Sequence, residues 1–189
     1  MKIGRLGVGV LCGMAVLMPA TAANIVTNGS FETGDFTGWN IAATSCGSDF
    51  GITTNPADAE SGTYAAFFNG SCPGSYDSFQ QAEPTVAGQN YAVMFWIETQ
   101  GSGPRDLIVD WNGAPILNLS GAGTGAYTLY KFTEPTTSSS TVLEFQGYNT
   151  NAIADFVDNV SVSEVDEPSA TFLLSMGLGL LCIRRLLQT

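Results

Sequence analysis

The 189-residue chain contains no histidine, and its 6 Lys+Arg face 17 Asp+Glu, for a formal charge of −11. Without histidine there is no Ser-His-Asp triad, no Cys-His nucleophile pair, no His-ligated zinc and no haem held by His. The shortage of positive charge argues against nucleic acid, and against anionic lipid, as an electrostatic partner. Long apolar runs are missing too: none reaches the ~20 residues of an ordinary membrane-spanning helix. The length suits one domain with signals attached rather than two full domains.

The few cations are placed unevenly. Lys2 and Arg5 open the chain, Arg184 and Arg185 nearly close it, and only Arg105 and Lys131 lie between. The stretch 24–167 sets those two cations against all 17 acids, a net −15. Residues 1–23 predict a secretory signal peptide, with a charged start, an apolar run Leu6 to Met18, Pro19 and the cleavage pattern Ala20-Thr21-Ala22. Cys12 follows Leu11 where a lipid-attachment site needs a small residue, which argues against a lipoprotein. At the other end, residues 170–183 are apolar, show no polar face at helical period and run into Arg184-Arg185. This segment of about 14 residues is expected to be a short transmembrane helix, spanning only by thinning the bilayer or snorkelling its arginines. Basic residues at both ends place the middle outside the cytoplasm.

The final stretch, VDEPSATFLLSMGLGLLCIRR, resembles the PEP-CTERM sorting tail of exopolysaccharide-making Gram-negative bacteria. Glu167, Pro168 and Ser169 match its signature, Arg184 and Arg185 its closing cluster, and Asp166 stands where a first proline is usual. The resemblance implies a partner, an exosortase-type sorting protease, that cuts residues 166–189 away. It implies inner-membrane anchoring before processing, then release to the cell surface or the extracellular space. In such an oxidising compartment Cys46 and Cys72, the two cysteines outside the signals, are expected to form a disulfide. A loop of about 27 residues closed this way would stabilise by ~3 kcal/mol on the chain-entropy model. A metal or redox role would need further ligands or a C-x-x-C, and neither is present.

Residues 24–165 are expected to be all-β. Tyr91 to Ile97 alternates cleanly, with Tyr91, Val93, Phe95 and Ile97 on one face and Ala92, Met94 and Trp96 on the other. Asp106 to Trp111 and Ala114 to Leu119 flank Asn112-Gly113, a strong hairpin signal, because a type I′ turn needs φ > 0 twice. Further strands are expected at Ile25-Val26, Trp39 to Ala42, Tyr64 to Phe68, Ser78 to Gln81, Tyr127 to Phe132, Val142 to Phe145 and Asp155 to Val162. Roughly nine short strands at this spacing predict a β-sandwich.

The segments NIVTNGSFETGDFTGW, ESGTYAAFF, SFQQ…VAGQNYAVMFW and FVDNVSV together resemble, in order, the landmarks of galactose-binding-like jelly rolls, including many carbohydrate-binding modules. The resemblance implies a jelly-roll β-sandwich with Trp39 in its core. It also implies one structural calcium where the first and last strands meet, held by Glu32, Asp158 and carbonyls of the Ser61-Gly62 turn. The plainer alternative is that these acids cap turns or face solvent.

A sugar site needs an aromatic platform together with amide or carboxylate groups for hydroxyls. Trp96, Trp111, Tyr76, Tyr148 and Phe50 are the aromatic candidates, with Asp110, Gln80, Asn149 and Asn151 as polar ones. Trp96, Trp111, Asp110 and Tyr148 are preferred; the alternative for each aromatic is core packing. Two carboxylate pairs could suggest glycoside hydrolysis. Asp106 and Asp110 share a strand face ~13 Å apart, too far for a dyad, and Asp155 and Asp158 point to opposite faces of a regular strand. The expected function is therefore non-catalytic binding of polysaccharide outside the cell. A structural matrix protein without a specific ligand, or less readily a small glycoside hydrolase, is the alternative.

Overall fold

A computed structural model describes residues 22–43, 49–70, 75–101, 103–121, 123–150 and 154–165. Both terminal signals, including Glu167, Pro168, Ser169, Arg184 and Arg185, and both Cys46 and Cys72 lie outside the described residues. Among the described residues no helix is long and apolar enough to cross a membrane.

Ten strands among the described residues form two antiparallel five-stranded sheets. They are β1 (Asn40–Ala42), β2 (Phe50–Thr53), β3 (Ala65–Phe68), β4 (Asp77–Pro84), β5 (Asn90–Thr99), β6 (Arg105–Trp111), β7 (Ala114–Asn118), β8 (Gly125–Pro135), β9 (Ser140–Asn149) and β10 (Asp155–Glu164). Sheet A runs β1-β4-β9-β6-β7 and sheet B runs β2-β3-β10-β5-β8. Consecutive strands repeatedly switch sheets, so the core is closed by contacts distant in sequence.

Alternation positions the core. On β5 Tyr91, Val93, Phe95 and Ile97 are buried while Ala92, Met94 and Trp96 are half-buried on the outer face. Aromatic rings fill the space between the sheets. Phe79 of β4 stacks on Phe145 of β9 at 5.1 Å and meets Phe68 of β3 at 5.3 Å, while Phe95 of β5 meets Phe145 edge-on at 5.2 Å. Trp39 is 7% exposed, stacks on Phe31 at 5.7 Å, and donates its indole N–H to the Asn28 carbonyl at 3.2 Å. The hairpin turn is as expected: Asn112 and Gly113 take φ of 55° and 75° between β6 and β7.

The chain start departs from a plain strand. Ile25 and Val26 do not join a ladder; they cover β10, with the Ile25 N–H donating to Val162 O at 2.9 Å and the Val162 N–H to Asn24 Oδ1 at 2.9 Å. β10 is irregular between Asp158 and Ser161, and the Asn28-Gly29 turn docks there. Gly29 accepts the Val160 N–H at 2.8 Å, and a Cβ on Gly29 would stand 2.1 Å from Val160 O. Only glycine permits that approach. Strand β2 lies outside the expected set: four residues containing Gly51 carry no alternation signal, and pairing with β3 makes the strand.

Among the described residues one ion pair crosses the core. Arg105 on β6 and Asp155 on β10 are 2% and 1% exposed, with Arg105 Nη1 2.6 Å from Asp155 Oδ1. The guanidinium also donates to the Gln100 and Gly101 carbonyls at 2.6 and 3.2 Å, and the Gln100 N–H donates to Asp155 Oδ1 at 3.0 Å. Asn149, 1% exposed, donates to the Gln100 carbonyl at 3.2 Å. Burial pushes the Asp155 carboxyl upward, and Arg105 and the other donors pull against it. Breaking such a pair from one side leaves an uncompensated buried charge, at a cost of about 3–5 kcal/mol.

Glu83 has no such partners. It faces inward from β4, is 1% exposed, and neither carboxyl oxygen has a hydrogen-bond partner. Burial pushes the carboxyl up from 4.5 to about 7. The folded chain therefore holds this proton more tightly than the unfolded chain does, and stability falls as pH rises from about 4.5 through about 7. In thermal melts Glu83→Gln is expected to shrink the loss of Tm between pH 5 and pH 8; an unchanged loss would show that Glu83 does not set it.

Candidate functional site

The sandwich offers two outer faces, and alternation decides which side chains reach each. On sheet A, β6 turns Arg105, Leu107, Val109 and Trp111 inward, and Asp106, Ile108 and Asp110 outward. β9 turns Glu144, Gln146 and Tyr148 outward, and β4 adds Ser78 and Gln80. Register sets Asp106 opposite Tyr148, Ile108 opposite Gln146, and Asp110 opposite Glu144, with Ser78 and Gln80 across β9 from Gln146 and Glu144.

These residues interact closely. The Tyr76 hydroxyl donates to Asp106 Oδ2 at 2.8 Å, and the Tyr76 and Tyr148 rings meet edge to face at 5.4 Å. That hydrogen bond, then burial and the Asp106 charge, push the Tyr76 phenol up to about 12, so it stays a neutral donor at any physiological pH. Gln146 Nε2 donates to Asp110 Oδ2 at 3.0 Å, while Asp110 Oδ1 is buried without a partner. Burial, then the facing Glu144, raise the Asp110 carboxyl. Phenol, amide and carboxylate groups thus stand in rows suited to a glycan's hydroxyls. Asp110 and Glu144 face each other across the β6–β9 ladder on this one face.

The preferred sugar residues do not share one site. Asp110 and Tyr148 lie together on the outer face of sheet A. Trp96 lies on the outer face of sheet B, paired with Asp158 on β10 and Leu129 on β8. Trp111 is a correction: it is 3% exposed, packs 6.4 Å from Tyr91 and donates to the Pro135 carbonyl at 3.3 Å, so it belongs to the core. Its parity along β6 is that of Leu107 and Val109, and that parity faces inward. Tyr148 is only 8% exposed, which leaves Tyr76 as the accessible ring. Of the other candidates, Phe50 packs on Phe68 at 6.3 Å, Asn149 belongs to the Arg105 cluster, Gln80 stands on the sheet A face, and Asn151 lies outside the described residues. Asp106, Glu144 and Gln146 join the site without having been expected there. Their common parity along β6 and β9 is readable in the sequence, but the pairing of those two strands is not.

Glu32, Ser61 and Asp158 do converge, around the 59–64 turn. Glu32 Oε1 accepts the Thr63 and Tyr64 N–H groups at 2.8 and 3.0 Å. Asp158, 0% exposed, accepts the Glu60, Ser61 and Asn159 N–H groups at 3.0, 3.3 and 2.6 Å. Burial pushes its carboxyl up to about 6 against those donors. Asp158, Glu98, Asp58 and Glu60 also add to burial in pushing the neighbouring Tyr127 phenol upward. Several acidic side chains therefore stand near this turn. However, among the described residues no three acidic, His or Cys side chains come close enough to share a metal ion. A calcium ion here would draw most of its oxygens from backbone carbonyls and water.

No protein-family model matches the chain, and no curated protein sequence does. Solved structures are similar in fold. TmCBM61 in complex with β-1,4-galactotriose is 20% identical, with a TM-score of 0.57 over 76% of this chain and 100% of that one. The CBM22-1 xylan-binding domain of Paenibacillus barcinonensis Xyn10C is 16% identical, with a TM-score of 0.56 over 79% of this chain and 99% of its own. The K1 cleaved adhesin domain of Lys-gingipain from Porphyromonas gingivalis is 12% identical, with a TM-score of 0.58 over 72% of this chain and 96% of its own. Likeness at these identities is one of architecture: the chain folds as an all-β jelly-roll sandwich of the kind seen in carbohydrate-binding modules.

Proposed function

We propose that the chain is a non-catalytic carbohydrate-binding module that takes a polysaccharide on the outer face of sheet A. The observation that carries this is the Tyr76–Asp106–Tyr148 cluster, set in register beside Gln146 and Asp110 on one sheet face. A partly exposed ring provides apolar contact for a sugar's C–H face. The adjoining amide and carboxylate groups pair with its hydroxyls, and buried or half-buried polar groups left unpaired would otherwise cost binding energy. Tyr76→Ala is expected to weaken binding to the recognised polysaccharide by about tenfold or more, a loss of ~1.4 kcal/mol. Trp96→Ala on the opposite sheet should leave it unchanged. Isothermal titration against a panel of soluble glycans decides: equal losses in both variants, or no binding to any glycan, would reject this face as the site.

We propose export as part of the same reading. The proposed course is removal of residues 1–23, sorting by an exosortase-type protease through the 166–189 tail, and residence among exopolysaccharide. A Cys46–Cys72 disulfide belongs to the same proposal, because export would place both cysteines in an oxidising compartment. Intact mass of the exported protein should lack both end segments and two thiol hydrogens. A full-length reduced chain would overturn the assignment.

A calcium ion at the 59–64 turn is proposed as a structural addition. It would join the chain start, through Glu32, to β10, through Asp158. Millimolar Ca²⁺ should raise Tm and chelator should lower it, with the response lost in Asp158→Asn. A Tm indifferent to both additions would remove calcium from the account.

A further inference from the structure

We propose that Asp106 is the positioning residue of the sugar platform: by reaching across Tyr148 to hold the Tyr76 hydroxyl, it closes one tyrosine over the other and decides which ring a glycan meets. This rests on the outer face of sheet A being the binding face.

The geometry comes from register. Asp106 on β6 pairs with Tyr148 on β9. β9 pairs in turn with β4, whose first residue Asp77 faces Gly147, so Tyr76, one residue earlier, falls in line with Tyr148. The three side chains therefore form one row across three strands, with Tyr148 in the middle. Two strand spacings separate the outer members by about 9.6 Å. A tyrosine and an aspartate together cover that span, and the Tyr76 hydroxyl meets Asp106 Oδ2 at 2.8 Å. The closure explains the exposures: Tyr148 is buried at 8% although it points outward, and Tyr76 is half-buried above it.

Tyr76 needs such an anchor. It stands just before β4 begins, outside the ladder that fixes the strand residues. Register brings it to this face, and the contact with Tyr148 and the bond to Asp106 hold its ring there. A charge-assisted hydrogen bond of this kind is among the stronger side-chain contacts. Asp106 touches the platform rather than the glycan, which makes its role one of orientation. Loss of the bond frees Tyr76 to swing and uncovers Tyr148, so the face would present two loosely placed rings instead of one fixed ring.

The test uses Asp106→Asn and Tyr76→Phe in the full processed protein, with β-1,4-galactotriose and soluble xylan as glycan probes. Both variants keep similar volume at the site. Nuclear Overhauser contacts between the ring at position 76 and the ring of Tyr148 are expected to weaken in both. In Asp106→Asn the Tyr76 phenol should titrate lower than its parent value of about 12. Affinity for whichever probe the parent binds should fall about tenfold in both variants. Ring contacts, phenol titration and affinity all at parent values would overturn the clamp. A parent that binds neither probe while the ring contacts weaken as expected would support the clamp and count against the glycan reading. The two failures are thus told apart.

Discussion

The buried Arg105–Asp155 pair is the constraint on which the site depends. It joins the start of β6 in sheet A to the start of β10 in sheet B, and through Gln100, Gly101 and Asn149 it fixes the loops at that end of the sandwich. Arg105 is one of two cations in a domain otherwise rich in acids, and it is committed entirely to the interior. Its neighbours in sequence belong to the proposed sugar face. Arg105 and Asn149 point inward; Asp106 and Tyr148, the adjoining residue on each strand, point outward and face each other across the β6–β9 ladder. Strand alternation thus transmits the rigidity of the internal network to the external cluster.

The same rule disposes of the aromatic residues. Trp39, Phe79, Phe95 and Phe145 interlock between the sheets, where ring contacts at 5.1–5.2 Å add to the burial of apolar area. Trp111 joins them because it shares parity with Leu107 and Val109. Tyr76 and Tyr148 are left outside, where a hydroxyl can be satisfied by a carboxylate. The chain thereby separates rings that hold the sheets together from rings available to a ligand. The two outer faces also diverge. Turn 59–64 is tied down by Glu32 and by Asp158, which pairs with Trp96 in sheet B, whereas the sheet A face sets Gln80, Glu144 and Asp110 in one row.

Much of the architecture can be read from local pattern. The alternation of Tyr91 to Ile97, the Asn112-Gly113 turn, and the strands around Phe79, Phe145 and Val157 all express short-range rules. β2 escapes because Phe50 to Thr53 is short and interrupted by glycine, and Ile25-Val26 becomes a covering segment because β10 bulges beneath it. The proposed site is only partly legible. Asp110 and Tyr148, chosen by residue type, fall on the outer face of sheet A, yet Trp96 and Trp111 look equally suitable and go to the other sheet and to the core. Residue type cannot separate an inward from an outward aromatic when apolar residues occupy both parities of a strand.

By itself the sequence determined the class of fold, the acidic character, the absence of histidine chemistry and the alternating faces of each strand. These follow from composition and from the two-residue period of extended backbone. Only the tertiary structure decided which strands are neighbours, and so which outward side chains meet. β4, β9 and β6 are separated by tens of residues in the chain and become adjacent through long-range pairing. Tyr76, Tyr148 and Asp106 come together for that reason alone, because the cost of closing the intervening loops is met by the whole core rather than by any local signal.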